Sequence, residues 1–187
     1  CHVRTMRCCA GFGQHVLLRV TEATLRIRLE THADHAAIFA ITQAAFAPMP
    51  FSDGNEADCV DRLRADGDLT LSLVAEEGAD IVGHVAFSPV FLNDRPGGWY
   101  GLGPISVAPH RQKQGIGGAL IDDGLGRLSE IGAKGCVLIG DPAYYGRFGF
   151  VGDGRLTYRD LPVDVVQWRA LGSDVPSGVL RYSPGLE

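Results

Sequence analysis

Hydrophobic and polar positions alternate over Leu25–Leu29, switch to a helical period after Thr31, and keep changing between the two rhythms to the C-terminus. The first alternation predicts a strand at Leu25–Leu29. Thr31-His-Ala-Asp34 has the form of a capping box, a hydroxyl at the N-cap and a carboxylate three residues on. Ile38, Ile41 and Ala45 then fall on one helical face, and Pro48 and Pro50 end that helix. Phe51–Gly54 reads as a loop and Glu56–Arg64 as a second short helix. Leu69–Ala75 and Ile81–Leu92 are predicted strands of a hairpin around the turn Glu76–Asp80. Asn93–Gly98 is predicted as another turn, and Trp99–Ala108 as the next strand. Ile116, Leu120, Leu125, Leu128 and Ile131 recur close to every 3.6 residues, and Gly132 and Gly135 flank the end of the helix they predict. Cys136–Ile139 is a short apolar run, as expected of a strand covered on both faces. Asp141-Pro142 is a helix start, with a carboxylate at the N-cap and proline at N1. Val163–Leu171 and Gly178–Tyr182 read as closing strands.

The resulting order, βααβββαβα and then strands, predicts an α/β (α+β) domain with a mixed sheet and helices on both faces. It occupies residues 25–187 as a single unit. Residues 1–24 carry three of the chain's five cysteines and no clear period, and read as an N-terminal extension of no assigned chemistry, with an edge strand at His15–Val20 as its one structural option.

Composition narrows the function. A chain of 187 residues with 45% hydrophobic side chains is sized for one domain with a substantial core. No apolar run reaches the roughly 20 residues that span a bilayer, so no membrane is expected. The formal charge of -5 argues against nucleic acid as a partner. Cys59 and Cys136 read as small buried hydrophobes, and Cys8-Cys9 with His2 or His15 lacks the paired spacing of a metal site. No metal is expected, and a reducing cytoplasm is the simplest setting.

Charge is distributed unevenly, however. His110, Arg111 and Lys113 cluster in a stretch where Asp94 is the one carboxylate between Leu92 and Asp122. These cations lie in Leu102-Gly-Pro-Ile-Ser-Val-Ala-Pro-His-Arg-Gln-Lys-Gln-Gly-Ile-Gly-Gly-Ala-Leu120, which reads as strand, glycine-rich turn and helix. The free N–H groups of a helix start, with the helix dipole behind them, favour an anion. Gly115, Gly117 and Gly118 leave the backbone open to close approach. A dinucleotide fingerprint beginning at Gly115 needs glycine where Leu120 stands, and a P-loop needs a Gly-Lys-Ser/Thr that is absent.

What remains, Gln112-x-x-Gly115-x-Gly117, resembles the acyl-CoA pyrophosphate loop of the GNAT N-acetyltransferases, written Arg/Gln-x-x-Gly-x-Gly/Ala. Gly140-Asp-Pro-Ala-Tyr-Tyr-Gly-Arg-Phe-Gly-Phe150 is similar to the Phe-Tyr-Glu-Lys-x-Gly-Phe segment after the fifth strand of that family, in the form seen in its YhbS-type branch. The resemblance runs from about Leu25 to the C-terminus. It implies the GNAT fold, a mixed and mostly antiparallel central sheet splayed between its fourth and fifth strands. It implies acetyl-CoA as co-substrate, an amine acceptor of unidentified kind, direct attack in a ternary complex, and room for a homodimer. Backbone groups of Gln112, Lys113, Gln114, Gly115, Ile116, Gly117 and Gly118 then hold the pyrophosphate, and pantetheine lies along Ile105, Ser106 and Val107 like an added strand.

Tyr145 falls where the family often places its catalytic tyrosine. A phenol of pKa about 10 is neutral near pH 7 and able to protonate a leaving thiolate. Tyr144 is the alternative acid, and packing is the other role for either ring. Many family members carry a glutamate on the fourth strand, but Trp99–Val107 contains no acid. A proton must leave the ammonium, so His84 is the candidate base, against a reading as an ordinary satisfied sheet residue. Glu56 and Asp58 either line an acceptor pocket or form a solvated helix start, and Arg147 is a partner for a carboxylate or a phosphate or a surface residue. Two other functions stay open: a non-catalytic acyl-CoA sensor, and a nucleotide-binding α/β domain.

Overall fold

The computed structural model describes residues 24–186 except Phe51 and Asp53. The N-terminal extension, its cysteines and its edge-strand option therefore lie outside the described residues, as do those two loop positions. The chain runs β1 (Leu25–Leu29), α1 (His35–Phe46), α2 (Glu56–Asp66), β2 (Leu71–Glu77), β3 (Asp80–Leu92), β4 (Arg95–Val107), α3 (Ile116–Glu130), β5 (Gly135–Ile139), α4 (Pro142–Tyr145), β6 (Leu156–Thr157), β7 (Val166–Ala170) and β8 (Gly178–Tyr182). The sheet order is β1-β2-β3-β4-β5-β7, with β8 on the far end of β3 and β6 beside β8. Along that order only β4 and β5 run parallel.

Each face is covered for a reason legible in the side chains. Leu73, Ala75, Val85 and Phe87 meet the apolar stripe of α3, whose Ile116, Leu120, Ile121, Leu125 and Leu128 are buried. The approach is close: a Cβ on Gly124 would lie 2.3 Å from the Phe87 ring, so only glycine fits there. On the opposite face, Val74 meets Ile38 of α1 and Val60 of α2. A second core joins Trp99, Val137, Val166, Leu180 and Tyr182 where β8 covers the sheet.

Several boundaries differ from the sequence expectation. The turn before β4 is only Asn93-Asp94, both left-handed (φ 52° and 60°), and the strand resumes at Arg95. Asn and Asp tolerate that conformation, so a two-residue hairpin closes before the Pro-Gly-Gly stretch that reads as a loop. Ile131 lies past the last turn of α3 and is 54% exposed. The buried positions of α1 are Ile38, Thr42 and Ala45, with Ile41 half-buried, because Thr42 has a polar partner inside. A turn closed by Val165 N–H donating to the Pro162 carbonyl delays β7 to Val166. The capping box holds: Asp34 accepts from the Thr31 N–H (2.7 Å) and hydroxyl (2.9 Å) while also binding Arg28 through both oxygens.

Candidate active site

The two central strands part company at the site. β4 and β5 are paired at Trp99–Gly101 and Gly135–Val137, and beyond Gly101 β4 continues without β5 beside it. Backbone parity shows which groups this leaves open. Ala108 N–H donates to the Val82 carbonyl at 2.9 Å, so Ala108 and, two residues back, Ser106 turn their backbone groups toward β3. Ile105 and Val107 therefore turn theirs to the splayed side. The Val107 carbonyl there accepts from Gln112 Nε2 at 3.1 Å, which ties the strand to the loop that follows it.

That loop is a short 3-10 turn, Pro109–Arg111, followed by Lys113 and Gly115 in the left-handed region (φ 62° and 86°) and then α3. Gly115 is the N-cap and has no side chain to satisfy the free N–H groups of the first turn. A Cβ on Gly117 would come 3.1 Å from the Tyr144 hydroxyl and 3.7 Å from a Val107 methyl. Gly117 thus keeps a narrow gap where the loop, β4 and α4 meet. Arg111, expected at this anion site, is instead ion-paired with Glu77 and donates to Gln114 at 3.0 Å.

α4 is capped by Asp141, whose Oδ1 accepts from the Ala143 N–H at 2.9 Å. Its two tyrosines stack edge to face at 4.9 Å. Tyr145 lies against Gly140, where a Cβ would be 2.4 Å from its ring, and edge-on to Phe150. Burial, with the Tyr144 phenol and the Cys136 thiol nearby, pushes the Tyr145 phenol up to about 12. It stays protonated, and so a donor, throughout the neutral range. The Tyr144 hydroxyl stands at the other end of the opening, beside Gly117.

His84 does not join this group. It is fully buried beneath α1, with Nε2 2.8 Å from Ser72 Oγ and 3.8 Å from Glu30. Ser72 has one hydroxyl hydrogen and gives it to the Glu30 carboxylate, so Nε2 must carry the hydrogen it shares with Ser72. Nδ1 is then a bare lone pair with no partner among the described residues. Burial pushes the ring down to about 4, against the pull of Glu30 and with the push of Arg64. At neutral pH the ring is neutral, enclosed and too weakly basic to take a proton from an ammonium, so the base role expected of His84 is not carried further. Ser106, its cross-strand neighbour, also faces α1, with Oγ 3.1 Å from Thr42 Oγ1. Of the expected pantetheine strand, only Ile105 and Val107 offer open-edge backbone groups.

His84 has a consequence for folding. In the unfolded chain it titrates near 6.5 and in the folded protein near 4, so the unfolded state binds more protons between these values. Stability is expected to fall by about 3 kcal/mol as pH drops through that window. Glu30 and Asp34, both held below the usual carboxylate range, add losses at lower pH still. Urea midpoints from pH 7 to 4.5 test this. The wild type should lose more than His84→Gln, which keeps a donor for Ser72 without an ionisable ring; equal losses would refute the assignment.

Comparisons with known proteins bear on what the splayed edge and glycine loop are for. A GNAT acetyltransferase domain matches residues 68–152. A GNAT acetyltransferase from Brucella melitensis, solved with acetyl-CoA, is 46% identical over 88% of this chain and 99% of its own, with a TM-score of 0.80. The chain belongs to the GNAT acetyltransferase family, in its YhbS-like branch. YhbS of Escherichia coli, solved with CoA, superposes with a TM-score of 0.80 at 32% identity, covering 88% of this chain and 92% of its own. The curated YhbS of Escherichia coli K12, described as an uncharacterized N-acetyltransferase, is 41% identical over 125 residues, 66% of this chain and 72% of YhbS.

Within this GNAT site, three features were missed in the sequence: the Gln112 side chain on Val107, the Tyr144 hydroxyl at Gly117, and the Thr42–Ser106 pair. Thr42 alone left a signal, as a polar residue four positions from Ile38 in an apolar helical stripe. Among the described residues no group of His, Cys, Asp or Glu side chains comes together as a metal site, and no helix is long and apolar enough to cross a membrane.

Proposed function

We propose that this GNAT protein moves the acetyl group of acetyl-CoA to a primary amine by direct attack in a ternary complex. The observation that carries the reading is the open edge of β4 at Ile105 and at the Val107 N–H, followed across the short turn at Pro109–Arg111 by the free N–H groups at the start of α3. The edge suits pantetheine, which carries amides able to pair like a strand, and the helix start suits pyrophosphate. The amine nitrogen bonds to the thioester carbon, the carbon–sulfur bond breaks, and Tyr145 gives its phenolic proton to the leaving thiolate. The ammonium loses one proton to water before it attacks, and a second nitrogen proton, lost to water once the carbon–nitrogen bond has formed, restores the phenol. Open-edge N–H groups of β4 stabilise the developing oxyanion. The sensor reading has one feature in its favour, the absence of any acid on β4.

The test is thermal stabilisation by acetyl-CoA, CoA, NAD and ATP. A ligand at about 100 times its dissociation constant adds about 2.7 kcal/mol, which for a chain of this size raises Tm by about 5–10 °C. Stabilisation by both CoA species is expected, followed by amine-dependent thiol release from acetyl-CoA. A larger rise with NAD or ATP, or none with CoA, defeats the proposal.

A further inference from the structure

The glycine loop is bordered on one side by a two-ring shelf. Phe148 approaches the first turn of α3, where a Cβ on Gly118 would be 3.4 Å from its ring, and Tyr144 brings its hydroxyl to Gly117. The two ring centroids are 5.7 Å apart. Arg169 fixes the shelf by donating to the Phe148 carbonyl at 2.7 Å. On this shelf lies Arg147, its guanidinium carbon 4.4 Å from the Tyr144 ring centre and 5.3 Å from that of Phe148.

Arg147 is both held and unspent. Its Nε donates to the Tyr144 carbonyl at 3.1 Å, and neither terminal nitrogen has a protein partner among the described residues. The guanidinium makes no ion pair there either, whereas the charge of Arg111 on the other side of the loop is neutralised by Glu77. An arginine stacked on aromatic faces loses little freedom when its remaining donors take a ligand, and its planar fork matches phosphate oxygens. The two side chains that carry it border Gly117 and Gly118.

We propose that Arg147 is a phosphate-binding residue for the nucleotide half of CoA, a second arm of the site facing the backbone arm at Gly115–Gly118. The proposal rests on the acetyl-CoA reading above. Two phosphate sources share this chemistry: the pyrophosphate, which sits at the helix start, and the 3′-phosphate of the ribose.

Calorimetric titration of the wild-type chain, Arg147→Met and Arg147→Lys with CoA and dephospho-CoA tests it. Methionine keeps the stem lying on the rings and removes the charge. Arg147→Met is expected to bind CoA about tenfold more weakly, as for loss of a charged hydrogen bond at a partly exposed site, with lysine in between. Loss with CoA alone assigns the 3′-phosphate, and equal loss with both ligands assigns the pyrophosphate. Pantetheine, which has no phosphate, should stabilise the Met variant and the wild type equally at millimolar concentration. Unchanged CoA affinity in Arg147→Met overturns the proposal, as does an equal loss for pantetheine, which would mean that the side chain acts through packing. A wild type that binds neither CoA species defeats the acetyl-CoA reading itself, a result distinct from a wild type that binds and a variant that matches it.

Discussion

Replacing Tyr145 by phenylalanine is expected to cut turnover by about 100- to 10,000-fold while leaving acetyl-CoA affinity within about twofold, the range found when a positioned general acid is removed. The expectation follows from where the ring lies. Tyr145 packs over Gly140 at the end of β5, on the side where β4 and β5 separate, and its raised pKa keeps it a donor at any pH where the protein works. Phenylalanine fills the same space against Gly140 and Phe150, so folding is preserved and the lost atom is the hydroxyl alone. Single-turnover thiol release, beside calorimetric binding, separates the two effects. Tyr144→Phe is the comparison: its hydroxyl stands at Gly117, near the phosphate end, so its loss should touch affinity before turnover. If Tyr144→Phe abolishes turnover and Tyr145→Phe does not, the acid has been assigned to the wrong ring. If the protein and both variants bind acetyl-CoA and none of the three shows turnover with any amine, the sensor reading gains.

The parts of this site that were legible in the sequence are those that depend on backbone. Gly115, Gly117 and Gly118 announce a helix start built for close approach, and the Asp141-Pro142 cap announces α4, because each signal acts within a few residues. The sheet followed in the same way, from alternation in β1, the turn signal between β2 and β3, and the short apolar run of β5. The parts that stayed hidden depend on side chains meeting across the sheet. Arg111 looks like a free cation beside the glycines, yet Glu77, 34 residues earlier, claims it. His84 has a solution pKa suited to a base, yet the sheet buries it against Ser72 and Glu30, and burial removes its basicity. Arg147 stays open in the sequence between a carboxylate or phosphate partner and a surface charge, and only the contacts with Tyr144 and Phe148 carry it to the loop. Periodicity reports which face is apolar; it carries no information about which distant polar group satisfies a given one.

Gly117→Glu should separate folding from binding. The position has ordinary helical backbone, and the atom nearest an added Cβ, 3.1 Å away, is the hydroxyl at the end of the Tyr144 side chain, which can yield a few tenths of an ångström. Glutamate is a better helix former than glycine by roughly 0.5 kcal/mol, and a carboxylate in the first turn is favoured by the helix dipole, so the folded protein is expected to be as stable as the wild type or slightly more so. The same carboxylate lies where the proposed function puts the pyrophosphate. Two like charges about 4 Å apart repel by about 4 kcal/mol at the effective dielectric of a protein surface, which is about a thousandfold in affinity, before any steric loss. Gly126→Glu is the matched control. It adds the same charge to the same helix, nine residues and about 13 Å further on, where a Cβ meets nothing within 4 Å. Acetyl-CoA should therefore stabilise Gly126→Glu like the wild type and Gly117→Glu not at all, with unliganded Tm values for all three close together. Equal stabilisation of both variants would put acetyl-CoA somewhere other than this loop, and a collapsed unliganded Tm in Gly117→Glu would show that the gap beside Tyr144 is part of the core rather than part of the site.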